Sequence, residues 1–331
     1  MNSYHHLAPN FPSLKDFKEN LFNFSGRLNR FRYICYTGLL SLITWLLLLV
    51  ISLFALCALT VSGITPFFLG GNQTEILNFF SNNWFFILTY SVLGFIIGIL
   101  FFIIGLSLLF RRLHDFGWSG WHFGITFLLI IFSSILSAAT KSGFALFIII
   151  PAVIYLIVVS LIAIFRPGNK EDNKYGSNPI TGDTLSFKDV AWSLSGRLNR
   201  TTFFWYMCAI IFVSNMLSSL SWLCLILIIP QTSIEIRRCY DLNISKIVPI
   251  SVNVASLIIC LYIISQAPDI KHADISSLVA IITSFIFLML FNLVWRAFLC
   301  LKKGDQGDNQ YGPDPETIPE PSPELTEEIQ Q

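Results

Sequence analysis

Charge is what this chain has least of. Asp, Glu, Lys and Arg make up only 12% of its 331 residues, against 54% hydrophobic and 15% aromatic residues, and the mean hydropathy is +0.67. A soluble domain carries about 25% charged residues, so composition points to an integral membrane protein. A second absence is the alternation of apolar and polar positions that a transmembrane barrel strand requires. The run from Trp84 to Phe110 is apolar on every face, so the spans are expected to be helices, each needing roughly 20 apolar residues to cross about 30 Å of hydrocarbon. Catalytic signatures are missing too: there is no H-E-x-x-H, G-x-S-x-G or P-loop and no paired intramembrane carboxylate. The seven cysteines are odd in number, form no C-x-x-C pair and sit mostly in apolar runs, which suits packing rather than disulfides or metal. No cofactor and no metal are expected. Residues 1–20 hold no apolar h-region, so the first span itself is expected to direct insertion. Basic residues are few and pinned to the ends of the spans, which leaves nucleic-acid binding without support.

What is present is a repeat. Ser25-Gly26-Arg27-Leu28-Asn29-Arg30 returns as Ser195-Gly196-Arg197-Leu198-Asn199-Arg200, each followed by a long apolar run. Arg111-Arg112 with Asp115 recurs as Arg237-Arg238 with Asp241, and Asn173, Tyr175, Gly176 and Pro179 recur as Asn309, Tyr311, Gly312 and Pro315. A tandem duplication is expected, with a polar tail over 1–16, a first membrane repeat over 17–182, a second over 187–315 and a disordered acidic tail over 316–331. The first repeat divides into helices near 33–61, 84–110, 121–139 and 144–165. In the second, helices are expected near 247–264 and 276–298. The segment 203–236 reads either as a short hairpin turning near Ser218-Ser219 or Ser221, for eight helices in all, or as one crossing, for seven.

The connections at 26–32, 111–122 and 166–174 carry Arg27, Arg30, Arg32, Arg111, Arg112, Arg166, Lys170 and Lys174, while the intervening two carry only Lys141. By the positive-inside rule the basic side is cytoplasmic, which places both termini there. Eight helices would make the repeats parallel rather than inverted. The fold class is therefore an all-α polytopic membrane protein of two parallel repeats. Before each first span, 17–24 and 187–194 suggest a short amphipathic helix in the interface. Gly94 and Gly98 form a G-x-x-x-G pair, with Gly105 further on, that would let the second span pack closely on a neighbour.

Three ordered landmarks carry a resemblance. Ser25 to Arg30 before a span, Arg111-Arg112-Leu113-His114-Asp115-Phe116-Gly117-Trp118-Ser119-Gly120-Trp121 between spans, and Asn173-Lys174-Tyr175-Gly176-Ser177-Asn178-Pro179 after the last span resemble the domain-of-unknown-function 805 family of bacterial inner-membrane proteins. The resemblance implies four helices per copy and a location in the bacterial inner membrane, and it implies no biochemical activity. The second copy departs from the pattern, with Tyr240 for the His, Asn243 and Lys246 for the two Gly, and Ile244 and Ile247 for the two Trp.

Guanidinium groups at helix ends bind carboxylates and phosphates in a bidentate manner. Asp115 is thus expected to pair with Arg27 or Arg30, and Asp241 with Arg197 or Arg200. The remaining arginines among Arg27, Arg30, Arg111, Arg112, Arg197, Arg200, Arg237 and Arg238 would reach lipid headgroups or an unidentified membrane or cytoplasmic protein partner. Asn173, Tyr175 and Gly176, with Asn309, Tyr311 and Gly312, read as a turn against the rim or as a ligand loop. His114 beside Asp115 is not read as catalytic, because neighbours on a helix point about 100° apart. The expected role is non-enzymatic, with membrane lipids as partners. A passive or hydrophobic-substrate transporter is the alternative and a lipid-modifying enzyme the second. A proton-coupled carrier is disfavoured because the spans hold essentially no charge before Arg296.

Overall fold

The computed structural model describes residues 11–61, 73–140, 146–179, 193–217, 225–266 and 275–316. Among these, every named element is a helix: α1 (Leu14–Glu19), α2 (Arg30–Val61), α3 (Gln73–Asp115), α4 (Trp121–Thr140), α5 (Leu146–Phe165), α6 (Arg200–Leu217), α7 (Ile228–Asp241), α8 (Ile247–Gln266) and α9 (Ile275–Leu301). Five helical stretches are long and apolar enough to cross a membrane: Arg30–Ile51, Ser81–Asp115, Trp121–Thr140, Leu146–Phe165 and Thr283–Leu301, with Ile247–Ile263 shorter. The chain is an all-helical, polytopic membrane protein.

The repeated Asn explains where two of these helices begin. Asn29 Oδ1 accepts the backbone N–H of Arg32 at 2.8 Å, and Asn199 Oδ1 accepts that of Thr202 at 2.8 Å. Each is an N-cap that satisfies a donor the helix leaves orphaned, so α2 and α6 start at Arg30 and Arg200. Sequence places the second helix at 84–110, whereas α3 has 43 residues, about 65 Å at 1.5 Å per residue. Asn82-Asn83, read as part of a polar connection, is helical instead, with Asn83 buried. At the other end α3 continues through Arg111 and Arg112, because Arg112 meets the Asp115 carboxylate and Arg111 a backbone carbonyl.

The segment 203–236 is shared between α6 and α7, and the turn expected near Ser218-Ser219 or Ser221 lies outside the described residues. Neither helix belongs to the membrane-crossing set. α7 is buried along most of its length and carries Glu235, Arg237 and Arg238. Glu235, within the segment that the hairpin reading counts among the spans, is fully buried. The acidic tail beyond Glu316 and the counterpart of α1 at 187–192 are likewise outside the described residues.

Contacts divide the chain into two compact units, one of residues 9–184 with 211–215 and the other of the remainder. In the first, α4 packs on α5, α2 on α3, and α5 touches both α2 and α3; in the second, α8 packs against α7 and α9, and α9 touches α7. The first unit's most buried apolar side chains gather at one end, at Leu28, Cys35, Tyr36, Leu108, Leu113 and Phe116, while Phe95, Phe132 and Phe147 are exposed along the helices. That distribution suits a body solvated by lipid along its length and closed at one end by protein. Among the described residues, Gly94 and Gly98 have no neighbour where a Cβ would point, and of the three glycines only Gly105 approaches another helix, at Leu40. The close packing expected of the G-x-x-x-G pair is therefore not found there.

The amphipathic piece expected over 17–24 is helical over Leu14–Glu19, capped by Ser13. It is pinned to α2: the Phe17 and Tyr36 rings lie 5.3 Å apart, and the Tyr36 hydroxyl donates to Asp16 Oδ2 at 2.6 Å. Phe22 and Phe24, beyond its end, are exposed.

Candidate functional site

At the closed end of the first unit, three chain segments meet on one carboxylate. Asp115 ends α3 and is completely buried. Arg27, from the loop before α2, donates from Nε to Asp115 Oδ1 at 3.2 Å, and its Nη2 lies 3.2 Å from the same oxygen. Arg112, one helical turn before Asp115, donates from Nη1 to Oδ2 at 2.5 Å. Spacing of i, i+3 puts Arg112 and Asp115 on the same helix face, and Arg27 reaches them because Leu28 N–H donates to Arg111 O at 3.0 Å, docking the loop on the end of α3.

The same guanidiniums also bind backbone carbonyls. Arg27 donates to Glu171 O at 2.8 Å, Asn169 O at 2.6 Å, and Gly176 O and Asp115 O at 3.3 Å each. Arg112 donates to Ala163 O at 2.8 Å and also to Arg166 O. Ala163 lies in the last turn of α5, whose final carbonyls have no intrahelical partner and carry the negative end of the helix dipole. Two cations and one anion leave a net positive charge, and this carbonyl array is what balances it. The clasp joins the start of α2, the end of α3 and the end of α5.

The second half of the chain builds a matching arrangement. Arg197 donates from Nε to Asp241 Oδ1 at 3.1 Å, and to the Gly307 and Asp305 carbonyls at 2.5 Å each. Arg238 binds Asp241 Oδ2, donates to Leu299 O at 2.8 Å, and also binds Leu198 O and Lys302 O. Leu198 N–H donates to Arg237 O at 3.1 Å. Burial pushes the Asp241 carboxyl up to about 6, opposed by Arg238 and Arg197, so at neutral pH it remains ionised between them. Burial lowers the Arg238 guanidinium, with Asp241 opposing.

Of the expected partners, Arg27 and Arg197 reach the carboxylates, while Arg30 instead donates to Phe165 O at 3.3 Å. Arg200 is exposed at the first position of α6 and makes no ion pair with Asp241. Headgroup contact expected of Arg111, Arg112, Arg237 and Arg238 meets a correction, since all are buried. Arg111 turns away from the carboxylate and donates to Asn20 O at 3.2 Å.

The Asn-x-Tyr-Gly segments close the clasps from outside. Asn173 donates from Nδ2 to His114 O at 2.9 Å and accepts Tyr175 N–H at 2.9 Å, while Asn309 makes the corresponding bonds to Tyr240 O and Tyr311 N–H at 2.9 Å each. Gly176 and Gly312 sit at φ of +134° and +136°, a region that favours glycine. Tyr175 stacks on His114 with centroids 3.8 Å apart and planes at 6°, and Tyr311 stacks on Tyr240 at 4.1 Å and 13°. What His114 and Tyr240 share is a flat ring, not a titration range. His114→Tyr should therefore leave the thermal midpoint nearly unchanged, whereas His114→Ala should cost about 0.5–1.5 kcal/mol of stacking; a His114→Tyr variant as unstable as His114→Ala would refute the stacking role.

Two residues central to the site are absent from the expected set. Gly168 and Gly304 follow the last helix of each half, and a Cβ on either would overlap the carboxylate of Asp115 or Asp241. Their loops are held by Asn169 N–H to Asp115 O at 2.9 Å and Asp305 N–H to Asp241 O at 2.8 Å. The turn between α3 and α4 shows another correspondence: Gly117 has φ +81° and Asn243 φ +55°, and Asn is enriched among non-Gly residues in that region.

No curated protein and no solved structure matches the chain. The model of a family described as "Protein of unknown function (DUF805)" matches residues 21–177. That span runs from the end of α1 to the Asn173–Gly176 turn and contains every part of the first clasp, and over it the chain is similar to the DUF805 family.

Proposed function

We propose that the chain is a non-enzymatic scaffold of the bacterial inner membrane, built from two duplicated units whose Arg–Asp clasps lie on the cytoplasmic side. Each clasp locks the helix ends of its unit, and exposed cations beside it hold anionic lipid headgroups. The observation that carries the headgroup role is a pair of arginines at the end of α5. Arg30 is exposed with Nη1 on Phe165 O, and Arg166 is exposed with its guanidinium 5.2 Å from the Phe116 ring centroid and 5.5 Å from that of Trp118. Among the described residues, neither is ion-paired to a carboxylate. Beside them a groove of about 430 Å³ is lined by Val158, Leu161, Ile162, Phe165 and Arg166. Apolar walls leading to a cation suit an acyl chain leading to a phosphate.

The test is native mass spectrometry of protein purified from nanodiscs of mixed anionic and zwitterionic phospholipid. Each arginine near an anionic surface contributes about 1 kcal/mol, so Arg30→Gln/Arg166→Gln should lower retention of anionic lipid by about 2 kcal/mol, roughly thirtyfold. Equal retention by the double variant would sink the headgroup role while leaving the clasps intact. The His114 ring, stacked on Tyr175 with its Nδ1 3.2 Å from Gly26 O, and the Tyr240 that stands in its place in the second half support the non-enzymatic reading.

A further inference from the structure

The second unit holds a buried carboxylate that its clasp does not use. Glu235 lies on α7 about 9 Å along the helix axis before Asp241, with its side chain 0% exposed. Its Oε2 accepts Asn253 Nδ2 at 2.7 Å and lies 3.4 Å from Trp295 Nε1, and Asn253 Oδ1 in turn accepts Gln231 Nε2 at 3.1 Å. Among the described residues, the other oxygen has no hydrogen-bond partner. Facing it at 3.6 Å is Arg296 Nε, also buried and also without a hydrogen bond. That separation exceeds the 2.7–3.2 Å of a made N–H···O bond, so the two groups attract each other across an open contact. The Arg296 side chain is 35% exposed, which gives the pair a side turned outward.

Nothing about the helix packing demands this cluster. Counted from Arg112 and Arg238, the first unit has Gly105 and Leu109 where α7 has Gln231 and Glu235; counted from Trp121 and Ile247, it has Phe127 for Asn253. Counted from Ala163 and Leu299, the carbonyls that the two clasp arginines bind, it has Val159 and Ser160 for Trp295 and Arg296. Leu109 and Val159 are buried there, so apolar packing suffices at the same place. A buried ion pair is often no more stabilising than such packing, and stability therefore does not explain why three helices of the second unit turn polar groups to one point.

We propose that Glu235 is a proton-binding site specific to the second unit, in which a proton taken from solvent on the Arg296 side adds to Oε1, converts the carboxylate to the neutral acid and releases Arg296 from its electrostatic hold. The groups facing Glu235 are Asn253 on α8, Trp295 and Arg296 on α9 and Cys239 on its own helix, with Gln231 and Arg238 on the same face of α7 by their spacing. Arg238 is committed to Asp241 and three carbonyls, which leaves Arg296 as the cation that responds. Burial raises the Glu235 carboxyl above its ordinary range, and Arg296 is the strongest opposing influence. Because α7, α8 and α9 all contribute, loading the proton loosens the tie between α7 and α9.

The experiment is pH-difference infrared spectroscopy of the full chain in nanodiscs. Acidification should produce the carbonyl stretch of a buried protonated acid in the wild type, and Glu235→Gln should lack that component. Arg296→Gln should move its appearance upward by about one pH unit or more, since removing a neighbouring cation favours the neutral acid. If Glu235→Gln does not fold, Glu235→Asp takes its place and should shift the band without abolishing it. A band that never appears while the wild type remains folded, one indifferent to both Glu235 substitutions, or one titrating at the same pH in Arg296→Gln overturns the proposal.

Discussion

Asp115→Ala should lower the stability of the first unit by about 3–5 kcal/mol, the cost of removing one member of a buried ion pair and stranding the rest. Two guanidiniums would remain with side chains 1% and 0% exposed, and neither could reach water without abandoning the carbonyls it binds. Such a loss is a large share of the roughly 5–15 kcal/mol that holds a typical protein folded. An ordinary buried ion pair can often be replaced whole by apolar residues without penalty. This one should not tolerate that exchange, because Arg27 also holds Glu171 O and Asn169 O and Arg112 holds Ala163 O. An apolar triple replacement at 27, 112 and 115 would orphan these acceptors, at about 1–3 kcal/mol for each one left buried. Thermal unfolding in detergent checks both parts: Asp115→Ala should fall well below wild type, and the apolar triple variant should recover none of the loss. Recovery in the triple variant would mean that the carbonyl contacts contribute little.

Much of this arrangement is legible in the sequence, for reasons that also explain what is not. Arg27 and Asp115 stand out because each belongs to a short polar motif inserted between apolar runs, and the repetition of both motifs removes chance as an explanation. Choosing Arg27 over Arg30 requires knowing that Asn29 caps α2, which keeps Arg27 in the loop and sends Arg30 along the helix toward Phe165. Arg112 could have been found from its i, i+3 spacing to Asp115, repeated as Arg238 and Asp241, but adjacency to Arg111 and Arg237 hid which member of each pair faces inward. Glu235 is inconspicuous because Ile234 and Ile236 flank it and two arginines follow it, so that it reads as the edge of a basic cluster. Only the convergence of Asn253 and Trp295 from other helices reveals it. The full length of α3 is hidden for a related reason: Asn82-Asn83 looks like a break, and nothing local reports that Asn83 is buried in a helix.

Gly168 shows the sharpest limit of local reading, and its substitution carries the second large expected effect. Gly168→Ala places a methyl group within the Asp115 carboxylate, which three donor contacts from Arg27 and Arg112 hold in place. The loop cannot retreat freely either, since Asn169 N–H is bonded to Asp115 O. Overpacking of this kind costs about 1–3 kcal/mol, and displacement of the carboxylate would add part of the clasp energy. Gly304→Ala should behave alike against Asp241. Gly94→Ala supplies the contrast: it has open space around the added methyl, lies inside α3, and should be neutral or stabilising by up to about 1 kcal/mol from helix propensity. The cause of the Gly168 penalty can be isolated by a double-mutant cycle. If collision with the carboxylate is responsible, Gly168→Ala should cost little in an Asp115→Ala background, where the methyl occupies vacated space. An undiminished cost in that background would place the penalty in the loop backbone and remove Gly168 from the clasp.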